Sequence, residues 1–206
     1  MSFEKFKTLI SRPVIIPMEN IDTDQIIPAR FLKSTTREGI GENLFYDWRY
    51  NKDGSLNFES VFNKSSRGLK ILAAGENSGC GSSREHAAWA LYDYGFRAVI
   101  SSSFADIFRG NALNNGLLPV KVSKDFMKQI FDFPYMQLKI DLEDRRVSFV
   151  DSPQYERPKE FKVYEEFEID LYKQKCLIEG FEDIDYLLSR SILIEKYEKE
   201  NSNFTR

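Results

Sequence analysis

Cysteine and histidine are nearly missing from this 206-residue chain, which carries two cysteines, Cys80 and Cys176, and one histidine, His86. An iron–sulfur cluster takes about four thiolates, so the chain by itself cannot supply one, and two cysteines make no disulfide framework. No His/Cys spacing proposes a zinc site either. Any metal the chemistry needs is therefore not expected to be carried by this chain. No apolar run approaches the length of a membrane span, and the N-terminal stretch Met1-Ser2-Phe3-Glu4-Lys5-Phe6-Lys7 lacks an apolar signal core and a cleavage site. With a net charge of −3 and no basic stretch interleaved with aromatics, nothing points to nucleic acid. The expected location is the cytoplasm. Neither an internal repeat nor a low-complexity segment is present.

What is there concentrates in one place. The segment Gly75-Glu76-Asn77-Ser78-Gly79-Cys80-Gly81-Ser82-Ser83-Arg84-Glu85-His86 follows an apolar run at 69–74 that reads as a buried strand. It leads into Ala87-Ala88-Trp89-Ala90-Leu91-Tyr92, which has helical periodicity. A strand, a Gly-rich turn and a helix start together present free backbone N–H groups to an anion. Two hydroxyls and an arginine close the turn and place a proton-handling group beside that anion site. Carboxylate or phosphate chemistry is the implication.

Around the turn the pattern alternates. Strands are expected at 69–74, 98–101 and 117–122, and helices at 83–94, stopped by Gly95, and at 104–113, capped by Ser102 or Ser103 and stopped by Asn114-Asn115-Gly116. This is a βαβαβ order, with right-handed crossovers if the strands are parallel. Ser123 caps a short helix to about residue 131. The first strand is expected at Val14-Ile15-Ile16, and a hairpin at 137–142 and 146–150, followed by helices at 168–179 and 183–200. Residues 29–66 read as a long functional loop region with short structure inside it. Arg30, Lys33, Arg37 and Arg49, with Phe31, Phe45, Tyr46 and Trp48, are too many cations and aromatics for a linker. The chain is expected to form one domain over 1–200, with a frayed tail at 201–206.

Several of these residues also have plainer explanations. Ser82-Ser83-Arg84-Glu85 fits a helix-capping box, and spacing alone favours that over catalysis. Against a simple cap stands the crowding of Gly75, Gly79 and Gly81 into one turn, because glycines let backbone approach a ligand closely. No dinucleotide or P-loop fingerprint fits. His86 lies one helical turn after Ser82, but no nucleophile-elbow pattern supports a hydrolase dyad, so a structural histidine is favoured. Cys80, at a helix start that lowers thiol pKa, is either reactive or a packed small residue. Asp22 and Asp24 resemble a carboxylate pair, yet their spacing also suits an Asx-type turn that ties a loop, and that reading is preferred.

Five motifs occur in a familiar order: Asp22-Thr23-Asp24-Gln25-Ile26-Ile27-Pro28, Leu44-Phe45-Tyr46-Asp47-Trp48-Arg49, Gly79-Cys80-Gly81-Ser82-Ser83-Arg84-Glu85-His86, Ser103-Phe104-Ala105-Asp106-Ile107-Phe108, and Asn114-Asn115-Gly116-Leu117-Leu118-Pro119. Over residues 1–197 the chain resembles the isopropylmalate dehydratase small-subunit family, relatives of the aconitase C-terminal swivel domain. One departure is Ser78, where that family usually has Phe. The resemblance implies an α/β fold of the swivelling β/β/α type, with C-terminal helices. It implies a hydro-lyase of leucine biosynthesis that interconverts 2- and 3-isopropylmalate through isopropylmaleate, active only as a heterodimer with a large subunit. That large subunit would carry a [4Fe–4S] cluster acting as a Lewis acid, with no cofactor on this chain.

By the same resemblance Ser82 is the catalytic base, working as an alkoxide on a carboxylate substrate. Ser83 and Arg84 hold a substrate carboxylate, and Arg37, or else Arg30, grips a second one. Backbone N–H groups at a helix start and a nearby guanidinium are what a serine anion needs. Two readings remain beside this one: a sister hydro-lyase acting on homoaconitate, methylmalate or citraconate, and a non-catalytic anion-binding partner module. A stand-alone serine hydrolase is the remote third.

Overall fold

The computed structural model describes residues 3–33, 36–64, 68–151 and 161–201. Among the described residues eight strands form two four-stranded sheets. In chain order they are β1 (Thr8–Ser11), β2 (Pro13–Ile16), β3 (Ile71–Ala74), β4 (Ala98–Ser101), β5 (Leu118–Lys121), β6 (Leu138–Asp141), β7 (Arg146–Phe149) and β8 (Tyr164–Glu166). Strands β2-β3-β4-β5 make a parallel sheet, and β1-β6-β7-β8 an antiparallel one. Pro13 and Pro119 lie in the parallel sheet, and both fall on its outer strands, where a missing N–H need not cost a ladder bond.

Side-chain alternation turns these sheets into layers. Ile71 and Ala73 of β3, Ala98 and Ile100 of β4, and Leu118 and Val120 of β5 face Leu138, Ile140, Val147 and Phe149 of the antiparallel sheet. The intervening residues Val14, Ile16, Leu72, Ala74 and Val99 face a second apolar cluster with Ala87, Ala90, Leu91 and Phe108. A strand has period two, so each parallel strand must be apolar on both faces to sit between two layers. The result is sheet, sheet, helix: the expected β/β/α architecture.

The helices are α1 (Thr23–Ile26), α2 (Tyr46–Arg49), α3 (Val61–Lys64), α4 (Glu85–Tyr94), α5 (Asp106–Asn114), α6 (Lys124–Asp132), α7 (Leu171–Glu179), α8 (Asp183–Leu188) and α9 (Ser191–Glu200). Short 3-10 turns at Ala29–Phe31 and Ile40–Asn43, with α2 and α3, are the only helical structure of the described part of the long loop region. Residues 34, 35, 65 and 66 of that region, and all but Asn201 of the tail expected to fray, lie outside the described residues.

Four expectations need correction. Strand β1 was not foreseen, because in Thr8-Leu9-Ile10-Ser11 the buried Leu9 is followed by an exposed Ile10 and the adjacent apolar pair hides the period. Strand β8 was not foreseen either; Tyr164-Glu165-Glu166 carries no apolar alternation and is held at the sheet edge by pairing with β7. Helix α5 starts at Asp106 behind Ala105 with no side-chain cap: Ser103 Oγ is engaged by the Asn77 N–H at 2.8 Å, and Ser102 lies four residues before the helix. The single helix expected at 183–200 is two. At the break Ser189 Oγ donates to the Tyr186 carbonyl at 2.6 Å, a local bond that competes with the helix ladder.

Phe126 of α6 is fully buried in the apolar cluster between the sheets, with its ring 5.3 Å from that of Phe149 of β7. Phe126→Ala is expected to lower unfolding free energy by about 3–5 kcal/mol, read as a lower urea midpoint at unchanged slope.

Candidate functional site

The Gly-rich turn has no room for a side chain at two of its glycines. A Cβ built at Gly75 would stand 2.3 Å from the Met18 carbonyl oxygen, and one at Gly79 would stand 2.1 Å from the Phe108 ring. Gly79 also has φ +77, a left-handed conformation that glycine adopts without steric cost. These contacts let the turn act as a short strand between two others. Asp22 bridges Cys80 on one side and Ser78 bridges Phe104 on the other, both parallel. Toward α1, Gly79 N–H donates to the Ile21 carbonyl at 2.7 Å, Thr23 N–H to Cys80 at 2.9 Å, and Thr23 Oγ1 to the Ser82 carbonyl at 2.9 Å. Toward β4, Ser101 Oγ donates to the Gly75 carbonyl at 2.7 Å, while Ser103 Oγ accepts from Asn77 N–H at 2.8 Å. Ser78, buried in this ladder, donates its N–H to the Ser103 carbonyl at 3.1 Å.

The expected capping box at Ser82 and Glu85 does not form. Helix α4 is preceded by Arg84 in an extended conformation, with no side-chain cap. Glu85 instead accepts from Asn115 Nδ2 at 2.9 Å, and Asn115 Oδ1 accepts from Trp89 Nε1 at 2.8 Å. With Glu85 committed to that clamp, the box has lost its second arm. Among the described residues the exposed Ser82 and Ser83 hydroxyls have no hydrogen-bond partner. A true capping box sits at α1: Asp22 Oδ1 accepts from the N–H groups of Asp24 and Gln25, each at 2.8 Å, and Gln25 Oε1 accepts from Asp22 N–H at 2.9 Å. Asp22 thus has the loop-tying role expected of it.

Asp24 does something else. Its Oδ1 accepts from Arg84 Nη1 and, at 2.8 Å, from the N–H of Ala29. The Arg84 bond, first, and the Ala29 bond hold the Asp24 carboxyl below the usual aspartate range despite some desolvation; the charges of Arg84 and Arg30 add to this. Arg30 is therefore electrostatically linked to the turn. Its own guanidinium is bonded to both oxygens of Asp47 and lies over the rings of Phe31 and Tyr46. Arg37 lies elsewhere: it donates to Glu182 at 3.1 Å and covers the Trp89 ring on α4.

Of the sequence-derived candidates, Ser82, Ser83 and Arg84 are thus contiguous, Arg30 neighbours them through Asp24, and Arg37 is held against the C-terminal part of the chain. The sequence assigns Asp24 only a loop-tying role and shows Asp47 only as part of a motif; neither spacing nor periodicity marks a carboxylate as an arginine's partner. Burial, with the Asp22 charge second, raises the Cys80 thiol pKa, opposite to what a helix start does, which favours the packed-residue reading. The His86 ring packs on Trp89 at 4.6 Å. No group of three or more His, Cys, Asp or Glu side chains is placed to hold a metal, and no helix is long and apolar enough to cross a membrane, among the described residues.

Comparison with known proteins agrees with this architecture. Residues 4–125 match the aconitase C-terminal domain family. The 3-isopropylmalate dehydratase small subunit of Cytophaga hutchinsonii is 54% identical over 200 residues, covering 95% of both chains. That of Christiangramia forsetii is 50% identical over 201 residues, covering 96% of this chain and 94% of the other. The crystal structure of 3-isopropylmalate dehydratase from Methanocaldococcus jannaschii superposes with a TM-score of 0.67 at 28% identity, covering 92% of this chain and 99% of that one.

Two measurements check the geometry of the turn. Gly79→Ala is expected to cost about 2–4 kcal/mol, from the ring overlap and the left-handed backbone together; an unchanged melting temperature would mean the turn has room to relax. The Asp24 carboxyl should titrate below the ordinary aspartate range in a 13C NMR titration. Because its folded-state pKa is lowered, the Arg84 pair is complete above the unfolded-state value and is lost as pH falls through the folded one. Arg84→Ala should move the titration back up.

Proposed function

The chain belongs to the family of 3-isopropylmalate dehydratase small subunits, within the aconitase C-terminal domain family, and on that premise we propose that it works with a large subunit to interconvert 2- and 3-isopropylmalate through isopropylmaleate in cytoplasmic leucine biosynthesis. The observation that carries the site is the exposed, unpartnered Ser82 hydroxyl, beside Arg84 in a turn held from both sides. Between the two isomers a proton and a hydroxyl exchange places on adjacent carbons. The proton leaves a carbon next to a carboxylate, and Ser82, as its alkoxide, is the base that takes it and returns it to the neighbouring carbon.

A serine is a poor base unless its anion is stabilised. The positive end of α4, which starts without a side-chain cap, and the Arg84 guanidinium supply that stabilisation. Ser83 and Arg84 hold one substrate carboxylate. For the second, Arg30 needs to exchange only an exposed pair with Asp47, both side chains being half or more exposed, and Arg37 must leave Glu182; exposed pairs are worth about 0–1 kcal/mol, so Arg30 is the readier of the two. Phe31 and Leu32, half-buried beside Arg30, give an isopropyl group an apolar wall.

The cysteines of this chain do not fit an iron–sulfur site: Cys80 is half-buried in the turn, Cys176 is buried in α7, and no further thiol exists. The [4Fe–4S] cluster, and with it the departure of the hydroxyl, is assigned to the large subunit.

Ser82→Ala is the direct test. Since Ser82 caps nothing, the variant should melt and assemble like the wild type. In anaerobic assays of the two-subunit enzyme, followed by absorbance of the unsaturated intermediate, turnover should fall about 10²- to 10⁴-fold. Near-wild-type turnover would make Ser82 a bystander. The chain without its partner should show no dehydratase activity.

A further inference from the structure

We infer that Asp24 is a positioning residue for Arg84: it takes one end of the guanidinium and leaves the other edge to the substrate carboxylate. The inference rests on the reading of Arg84 as the carboxylate holder. Both hydrogen bonds that Arg84 makes use the same nitrogen, Nη1, which donates to Asp24 Oδ1 and, at 3.4 Å, to the Ile27 carbonyl. Among the described residues Nε and Nη2 have no partner. Those two atoms form the side-on edge with which an arginine grips a carboxylate in two parallel bonds. An acid that merely occupied the substrate's place would be expected to take two guanidinium nitrogens, and Asp24 takes one.

Asp24 is itself immobilised. The Asp22–Gln25 capping box fixes the start of α1, and the Ala29 N–H bonds the same carboxylate oxygen that faces Arg84. A free arginine side chain samples many rotamers, and ordering it on binding reduces affinity. Here the ordering is done before substrate arrives. The Ala29 bond has a second consequence: it ties the Arg84 orientation to the first residue of the 3-10 turn that carries Arg30. Asp24 thus joins the proton-handling turn to the loop that holds the second carboxylate.

Positioning and competition predict opposite signs. The test measures KM and kcat for 3-isopropylmalate in the assembled two-subunit enzyme, for wild type, Asp24→Asn, Arg84→Lys and the double variant. If Asp24 positions Arg84, Asp24→Asn raises KM on the order of tenfold with a smaller change in kcat, and adds little once Arg84 is already Lys. A lowered KM means that Asp24 competes with substrate, and additive losses mean that it acts elsewhere; either overturns the inference. If Arg84→Lys alone leaves kcat/KM unchanged, the reading of Arg84 itself fails.

A second measurement does not depend on turnover or assembly. In 15N NMR of this chain alone, rotation of the Arg84 guanidinium should be hindered in the wild type and freed by Asp24→Asn, with Asp24→Glu restoring part of the hindrance. A guanidinium equally mobile in wild type and Asp24→Asn also overturns the inference.

Discussion

A methyl group at Gly79 would stand 2.1 Å from the ring of Phe108, and this lack of room organises the site. Because no side chain separates the turn from α5, its backbone reaches the carbonyl of Ile21 on one side while Ser78 reaches Ser103 on the other. Phe108 in turn belongs to the apolar cluster under the parallel sheet, with Leu72, Val99 and Leu91. The position of three polar side chains, Ser82, Ser83 and Arg84, is thereby referred to the hydrophobic core through backbone contacts. Core packing is dense and resists small displacements, whereas a long surface loop does not. That difference lets so exposed a pair of hydroxyls be held in place without bonds of their own.

The charges around the turn follow a consistent rule: each arginine is matched by one acid, and how firmly depends on exposure. Arg84 is 17% exposed and its Asp24 partner 57%, whereas Arg30 and Asp47 are both at least half exposed. Water screens the second pair far more than the first, so the Arg30–Asp47 pair is the one that exchanges partners at little cost. A dicarboxylate entering such a site meets one arginine already oriented and another easily released. This ordering suits a substrate whose two ends differ, since the malate-like end common to the class can be gripped first and the substituted end sorted afterwards.

Much of this was legible in the sequence, for identifiable reasons. Strands β3, β4 and β5 and helix α4 were located to within two residues because each is apolar on the required face and Gly95 stops the helix cleanly. The sheet edges were not legible: β1 hides its period behind Ile10, and β8 is two glutamates and a tyrosine. At the site, the turn between β3 and α4 and the contiguity of its hydroxyls and arginine could be read from the sequence. The partners could not. Asn115, thirty positions after Glu85, is what draws Glu85 away from the capping box, and only the fold brings it there. Likewise Asp24 and Arg84 are 60 residues apart, and the residue types alone gave the simpler turn-tying role to both aspartates of the motif.

The pairing of Arg84 with Asp24 also bears on why such a subunit needs a partner. An alkoxide at Ser82 requires a positive environment, and the chain offers a helix start worth about half an elementary charge together with one guanidinium. Asp24 offsets much of that guanidinium's charge even while it fixes its direction. On the proposed reading geometry and field are therefore not supplied by the same atoms: this chain would orient the base and the carboxylate grip, and the remaining positive charge would come from beyond it. Substrate carboxylates only deepen that deficit. On the proposed reading the cluster-bearing large subunit closes it, so a serine that is inert in the separate chain acquires its basicity only when the two surfaces enclose the substrate together and exclude water.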